Sequence, residues 1–229
     1  MGKSVLTFDQ LTDKIIADFS WRRKELTLLK NKIPESKNSL QNAMIRATMP
    51  LLYAHWEGFV KISLSYYLEF VANKGLKHKE LKNQFVALSL QKKLGNLKEN
   101  SIESKTQIID FIFDRVDKQS NIPTKNIINT KSNLKYDVLE EILFIMDLKD
   151  AHFESQRDLV NDLVDERNHI AHGEHKLVDY PTFIEFFDDI IALMEHLKKQ
   201  IENSAILESF KKPAPNNGSS QITGLVEKV

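Results

Sequence analysis

Breakers are scarce in this chain, and that constrains its fold more than any other feature. Only seven glycines and six prolines punctuate 229 residues, below average usage, so most of the chain is free to form long regular elements. The apolar spacing says which kind. Leu11, Ile15, Phe19, Leu26 and Leu29 recur at helical intervals behind Thr7–Gln10, whose T-F-D-Q order is a capping-box pattern. Pro34 ends that element. A second helix is expected from Asn38 or Ser39 to about Lys74, with Gly75 as its C-terminal stop. Pro50 should kink it, because proline removes a hydrogen bond and clashes with the preceding turn. Arg46, Tyr53, Glu57 and Lys61 interrupt its apolar run at near-regular helical spacing.

The stretch from residue 75 to 135 is less regular. Its first part is helix-compatible but weakly periodic. Ser104–Gln107 has the capping-box form and predicts an amphipathic helix carrying Ile108, Ile109, Phe111, Ile112 and Val116. The run from Lys118 to Lys135 holds lysines at 118, 125, 131 and 135 and no acid, and reads as a loop or a poorly structured insertion. A short helix follows in YDVLEEILFIMDL. Ser155–Asp158 should cap the next helix, which runs to about His172 with Gly173 as its stop. A last helix should begin near Pro181 and present Phe187, Ile190, Met194, Leu197 and Ile201 as a packing seam. Strand alternation and internal repeats are both lacking. The expected fold is an all-α bundle: one domain over residues 1–209 with an insertion at about 75–135, then a polar tail over 210–229 expected to be disordered.

Composition narrows the function classes. Lys and Arg number 32 and Asp and Glu number 32, so a nucleic-acid site would have to be a local patch. There is no cysteine, which rules out disulfides, thiolate metal sites and cysteine nucleophiles, and fits a reducing cytoplasm. No signal-peptide core opens the chain, and Leu6 stands where a myristoylation motif needs Ser or Thr. The most apolar long stretch, 44–71, contains Arg46, His55, Glu57 and Lys61, against a membrane span. The expectation is a soluble, cytoplasmic protein.

One stretch is anomalous: VDERNHIAHGEH, Val164–His175, with three of the chain's seven histidines in its last seven residues. At ~100° per residue, Leu159, Val160, Leu163, Val164, Ile170 and Ala171 share one arc, which should face the core. Arg167 falls in the middle of it. Burying an arginine there is costly unless it is paired or opens onto a cleft. Asn161, Asp165, Asn168 and His172 form a second line along the arc's margin, while His169 points to solvent. His172 ends the helix, where the dipole favours the imidazolium. Glu57, set among aromatic bulk in YAHWEGFVK, is a candidate partner for Arg167. Bland alternatives stand beside these readings. Arg167 is then an ordinary buried ion-pair partner and His172 a C-terminal cap. Trp21, Trp56 and the phenylalanines are core. The H-x-x-H-G-E-H order lacks the spacing of a zinc motif, so no metal or cofactor is expected.

Arg167-Asn168-His169-Ile170-Ala171-His172 is an Arg-x4-His sequence on the penultimate helix of an all-α chain, closed by Gly173. In this it resembles the HEPN superfamily (higher eukaryotes and prokaryotes nucleotide-binding) over roughly residues 5–205. The YAHWEGFVK segment resembles the bacterial subgroup found near restriction, antiphage and toxin–antitoxin genes. The resemblance implies a metal-independent endoribonuclease acting as a homodimer, with both motif helices facing one cleft. It implies that Arg167 binds phosphate, that His172 transfers protons and that Asn168 positions them. Glu57, Asp165 and Arg46 would support the site. RNA would be the substrate, and an antitoxin or defence protein the partner. Two alternatives stay open: a non-catalytic HEPN module, and a helical interaction protein whose Arg167 is sealed against an acid of its own chain.

Overall fold

A computed structural model describes residues 6–94 and 101–213. The described residues form eight α-helices: α1 (Phe8–Lys30), α2 (Ser39–Asn73), α3 (Asn83–Leu94), α4 (Ile102–Arg115), α5 (Tyr136–Ile145), α6 (Ala151–Ser155), α7 (Arg157–Ala171) and α8 (Tyr180–Ile206). No strand occurs among them, only isolated bridges from Lys77 to Gln119 and from Leu81 to Lys211. The all-α expectation is met. No described helix is long and apolar enough to cross a membrane.

The first helices start where the chain's own side chains can cap them. Thr7 accepts from the Gln10 amide at 3.2 Å while Gln10 accepts from the Thr7 amide at 3.1 Å, a closed capping box. Asn38 accepts from the Gln41 amide at 2.9 Å and opens α2. α2 then runs on through Pro50 as one helix. It packs against α1, α7 and α8 and forms the spine of the fold. Trp56, Phe59, Tyr67 and Phe70 on α2 are essentially fully buried, and burial of a large apolar side chain contributes ~1.5–3 kcal/mol each. The seam expected on α8 is buried throughout: Phe187, Ile190, Met194, Leu197 and Ile201.

A buried charge joins α1 to α2. Arg22 is 6% exposed and meets Asp18 at 2.8 Å. It approaches α2 at Gly58, where a β-carbon would stand 2.7 Å from Arg22 Nη1. Glycine at 58 is what lets the guanidinium lie against the helix. Trp21 is a correction to the core reading: it is 48% exposed and sets its edge on His55.

Four further expectations need correcting. α4 begins one turn before the Ser104 pattern, because Ser101 takes the cap and accepts from the Ser104 amide at 3.1 Å. Ser155 does not cap α7: its hydroxyl donates to the His152 carbonyl at 2.7 Å, and Asp150 caps the short α6 instead. The 118–135 run is irregular but not poorly structured, since Ile122, Ile128, Thr130 and Leu134 are buried. Phe210, at the expected start of the tail, is fully buried, with its ring edge-on to Phe70 at 6.1 Å. The amide of Lys82 donates to the Phe210 carbonyl, and that of Lys212 to the Glu80 carbonyl, both at 2.9 Å. The rest of the expected tail, 214–229, lies outside the described residues, as do 95–100 of the weakly periodic stretch.

Candidate functional site

α7 is amphipathic, and it turns its apolar arc inward as the periodicity requires. Val160, Leu163 and Val164 are buried, and Leu159 and Ile170 pack partly against the same core. Ala171 departs from the arc and is exposed. The helix ends by its own hydrogen bonds: the Gly173 amide donates to the Ile170 carbonyl at 3.1 Å and the Glu174 amide to the His169 carbonyl at 3.0 Å. This is a Schellman closure, and it needs the positive φ of 78° that Gly173 adopts.

Arg167 sits half-buried on that arc, and no acid among the described residues holds it. Its guanidinium carbon lies 4.2 Å from the centre of the Tyr53 ring on α2, a cation–π contact. Nη1 donates to Asn168 Oδ1 at 2.8 Å and Nη2 to the Ser132 carbonyl at 2.9 Å. Nε is buried and has no partner. All these partners are formally neutral, so the positive charge is oriented but not neutralised. Glu57, the expected partner, makes no ion pair with it. The ring of Tyr53, one turn earlier on α2, occupies the position over the guanidinium. Among the described residues, no acid of the chain seals Arg167.

Tyr53 does a second job. Its Oη accepts from the Leu134 amide at 2.8 Å inside the core. Burial pushes the phenol pKa up, and the charge of Glu57 adds to this against the pull of Leu134 and Arg167. The hydroxyl therefore stays protonated. Lys131 and Ser132, with φ of 53° and 60°, sit at the centre of a turn closed by the Asn133 amide on the Thr130 carbonyl at 3.1 Å. Two consecutive left-handed residues other than glycine cost roughly 1–2 kcal/mol each and persist only when their surroundings hold them. The Tyr53 clamp is one such hold, and its product is a carbonyl aimed at Arg167.

The polar row beside the arc faces this same segment. Asn161 Oδ1 accepts from the Tyr136 amide at 3.0 Å, capping α5. Asp165 pairs with Lys135 at 2.9 Å. Asn168 orients Arg167 as described. His172 is exposed at the end of α7, and its imidazole makes no hydrogen bond or ion pair with the described residues. His169, expected to point to solvent, is half-buried and meets Glu174 at 2.5 Å. Arg46 does not reach the motif side chains: Nη1 donates at 2.6 Å to the carbonyl of Lys176, in the loop after the motif. Lys176 also binds Glu166, which raises its pKa, and Oε2 of Glu166 stays buried without a hydrogen bond.

Tyr53, Ser132 and Glu166 are the contributors that residue types did not single out. Tyr53 carried a signal, since it stands on the same α2 line as Arg46 and Glu57. Ser132 carried none, because it acts through its carbonyl.

Residues 17–203 match the family described as RiboL-PSP-HEPN, and the chain belongs to that family. Membership of this family suggests a nuclease or RNA-binding module. Comparison with curated proteins finds no match, and comparison with solved structures finds none.

Proposed function

We propose that the chain is a metal-independent endoribonuclease, acting as a homodimer in a bacterial defence or toxin–antitoxin system. One observation carries the reading: the Arg167 guanidinium is fixed by a ring face, a carbonyl and an amide, with no carboxylate of the described residues to neutralise it. An arginine held in this way is complementary to an anion, and its forked donors suit a phosphate. The neutral overall composition is no obstacle, because two copies brought together concentrate two such charges in one cleft.

The chemistry follows from RNA itself. The 2′-oxygen attacks the adjacent phosphorus and loses its proton, while the bond from phosphorus to the 5′-oxygen breaks and that oxygen gains a proton. The products are a 2′,3′-cyclic phosphate and a 5′-hydroxyl. His172, exposed and without a partner among the described residues, is free to transfer protons to and from the RNA. Two copies supply two imidazoles, one to accept a proton and one to donate. Arg167 stabilises charge on the phosphorane, and Asn168 holds Arg167. Asp165 and Arg46 act indirectly, by fixing Lys135 and the Lys176 loop. Glu57, close enough to raise the Tyr53 pKa, adds negative charge beside the ring.

The test is incubation of the purified protein with bacterial RNA in EDTA, beside folded Arg167→Ala and His172→Ala variants. Wild-type cleavage leaving cyclic-phosphate ends is expected, with losses of ~10²–10³ in rate for each variant. Cleavage that survives in both variants would refute the assignment. No cleavage by any version would favour a non-catalytic RNA-binding HEPN module.

A further inference from the structure

Behind the motif loop lies a cavity of about 500 Å³, within the ~300–1,000 Å³ range of small-ligand sites. Glu35, Lys37 and Asn42 line one side, and Leu177, Asp179 and Tyr180 the other. It belongs to the same structural unit as the candidate site. Asn42 is one turn of α2 before Arg46, and Arg46 holds the carbonyl of Lys176, the residue before Leu177. Leu177 lies five positions after His172, a reach of at most ~17 Å of extended chain.

The wall is pre-formed. Gln41, 3% exposed, donates through Nε2 to the carbonyls of Pro34 at 2.7 Å and Glu35 at 3.1 Å, fixing the approach to α2. Asp179 caps α8 by accepting from the Thr182 amide at 2.9 Å, and this holds its carboxyl pKa low. The Glu35 carboxylate, the Asn42 amide and the Tyr180 hydroxyl make no side-chain hydrogen bond among the described residues, so they are available to a ligand. Leu177, 51% exposed, adds apolar surface beside the Tyr180 ring.

The charges say what kind of ligand fits. Two carboxylates against one ammonium disfavour a phosphate. They favour a flat, uncharged ring that offers N–H donors to Glu35, hydrogen-bonds with the Asn42 amide and lies on Leu177 and Tyr180. We propose that this cavity is a base subsite, taking one unpaired nucleobase with an exocyclic amino group from an RNA strand whose backbone runs past Arg46 to the motif. The proposal rests on the ribonuclease reading and names its substrate more closely: single-stranded RNA, with cytosine, adenine or guanine preferred over uracil at this position. Carboxylates and side-chain amides discriminate bases by their amino groups in this way.

The experiment uses the full chain carrying His172→Ala, so that RNA is not cut, and fluorescein-labelled C8, A8 and U8 oligoribonucleotides read by anisotropy. C8 and A8 should bind more tightly than U8. Asn42→Ala should weaken C8 and A8 about ten-fold. Glu35→Ala, at an exposed position without an intrachain partner, should abolish the preference over U8 without disturbing the fold. Equal affinity for the three oligonucleotides, or affinities untouched by both variants, would overturn the proposal. CMP competing better than C8 would overturn the assignment to a strand. The two readings fail separately. Binding that depends on Asn42 and Glu35 in a protein that never cleaves RNA supports the subsite and sinks the ribonuclease. Cleavage that needs Arg167 and His172, with KM unchanged by Asn42→Ala and Glu35→Ala, does the reverse.

Discussion

Tyr53→Phe removes a single oxygen from a sealed position. Tyr53 is 3% exposed and Leu134 is fully buried, and the hydroxyl accepts the Leu134 amide at 2.8 Å. The ring that lies under Arg167 is kept, so what is lost is the hydrogen bond to Leu134 and the phenol oxygen's weaker interaction with Arg167. A buried N–H left unpaired costs about 1–3 kcal/mol. In a chain of this size each kcal/mol lowers Tm by ~2–4 °C, so a loss of about 2 kcal/mol should lower Tm by ~4–8 °C. Scanning calorimetry reads that directly, and urea unfolding should show a lower midpoint with an unchanged slope. Amide exchange locates the effect. Leu134 and its neighbours in the 130–135 turn should lose protection, because the left-handed Lys131–Ser132 pair loses one of its holds. An unchanged Tm with Leu134 still protected would show that another acceptor serves this amide and that α2 does not organise the turn.

Gly58→Ala should destabilise the fold by about 1 kcal/mol net in urea unfolding, because a β-carbon 2.7 Å from Arg22 Nη1 must push aside a guanidinium that is buried and paired with Asp18, which outweighs the ~1 kcal/mol that alanine gains over glycine inside a helix; a neutral or stabilising result would mean that the guanidinium moves freely. For His55, burial lowers the imidazole pKa, outweighing the opposing pull of Glu25. The folded state therefore binds fewer protons than the unfolded one. Stability from this group is complete above the unfolded value of ~6.5 and is lost as pH falls through that value towards the folded pKa. Tm measured against pH should fall less steeply below ~6.5 in His55→Phe than in the wild type, and parallel curves would refute this.

The long helices were legible because their signals are local. Thr7, Asn38, Gly75 and Gly173 punctuate them, and the α8 seam repeats cleanly. Capping patterns misled where two candidates competed: Ser101 preceded Ser104, and Ser155 spent its hydroxyl on His152. The 118–135 segment escaped because its anchors, Ile122, Ile128 and Leu134, stand six residues apart with mostly polar residues between, too sparse a pattern to mark a helix or a strand; each is placed by what it meets in the core. The candidate site divides in the same way. Arg167 announced itself by standing out of place on an apolar arc. Its partners did not, since a carbonyl at Ser132 leaves no mark in residue type and Glu57 looked the better electrostatic match. The pairing failed because an aromatic face one turn away reached the guanidinium first.

The bridge between residues 80–82 and 210–212 has a consequence for biogenesis. Chains emerge from the ribosome N-terminus first, at ~5–20 residues per second. α1 and α2 are thus exposed for many seconds before α8 arrives to cover them, and Phe70 waits longer still for Phe210. A contact between distant segments closes last, after the loop entropy has been met. The domain is therefore completed only after nearly all of its described length has been synthesised. Under the ribonuclease reading, a nascent chain still tethered beside its own messenger lacks this final clasp.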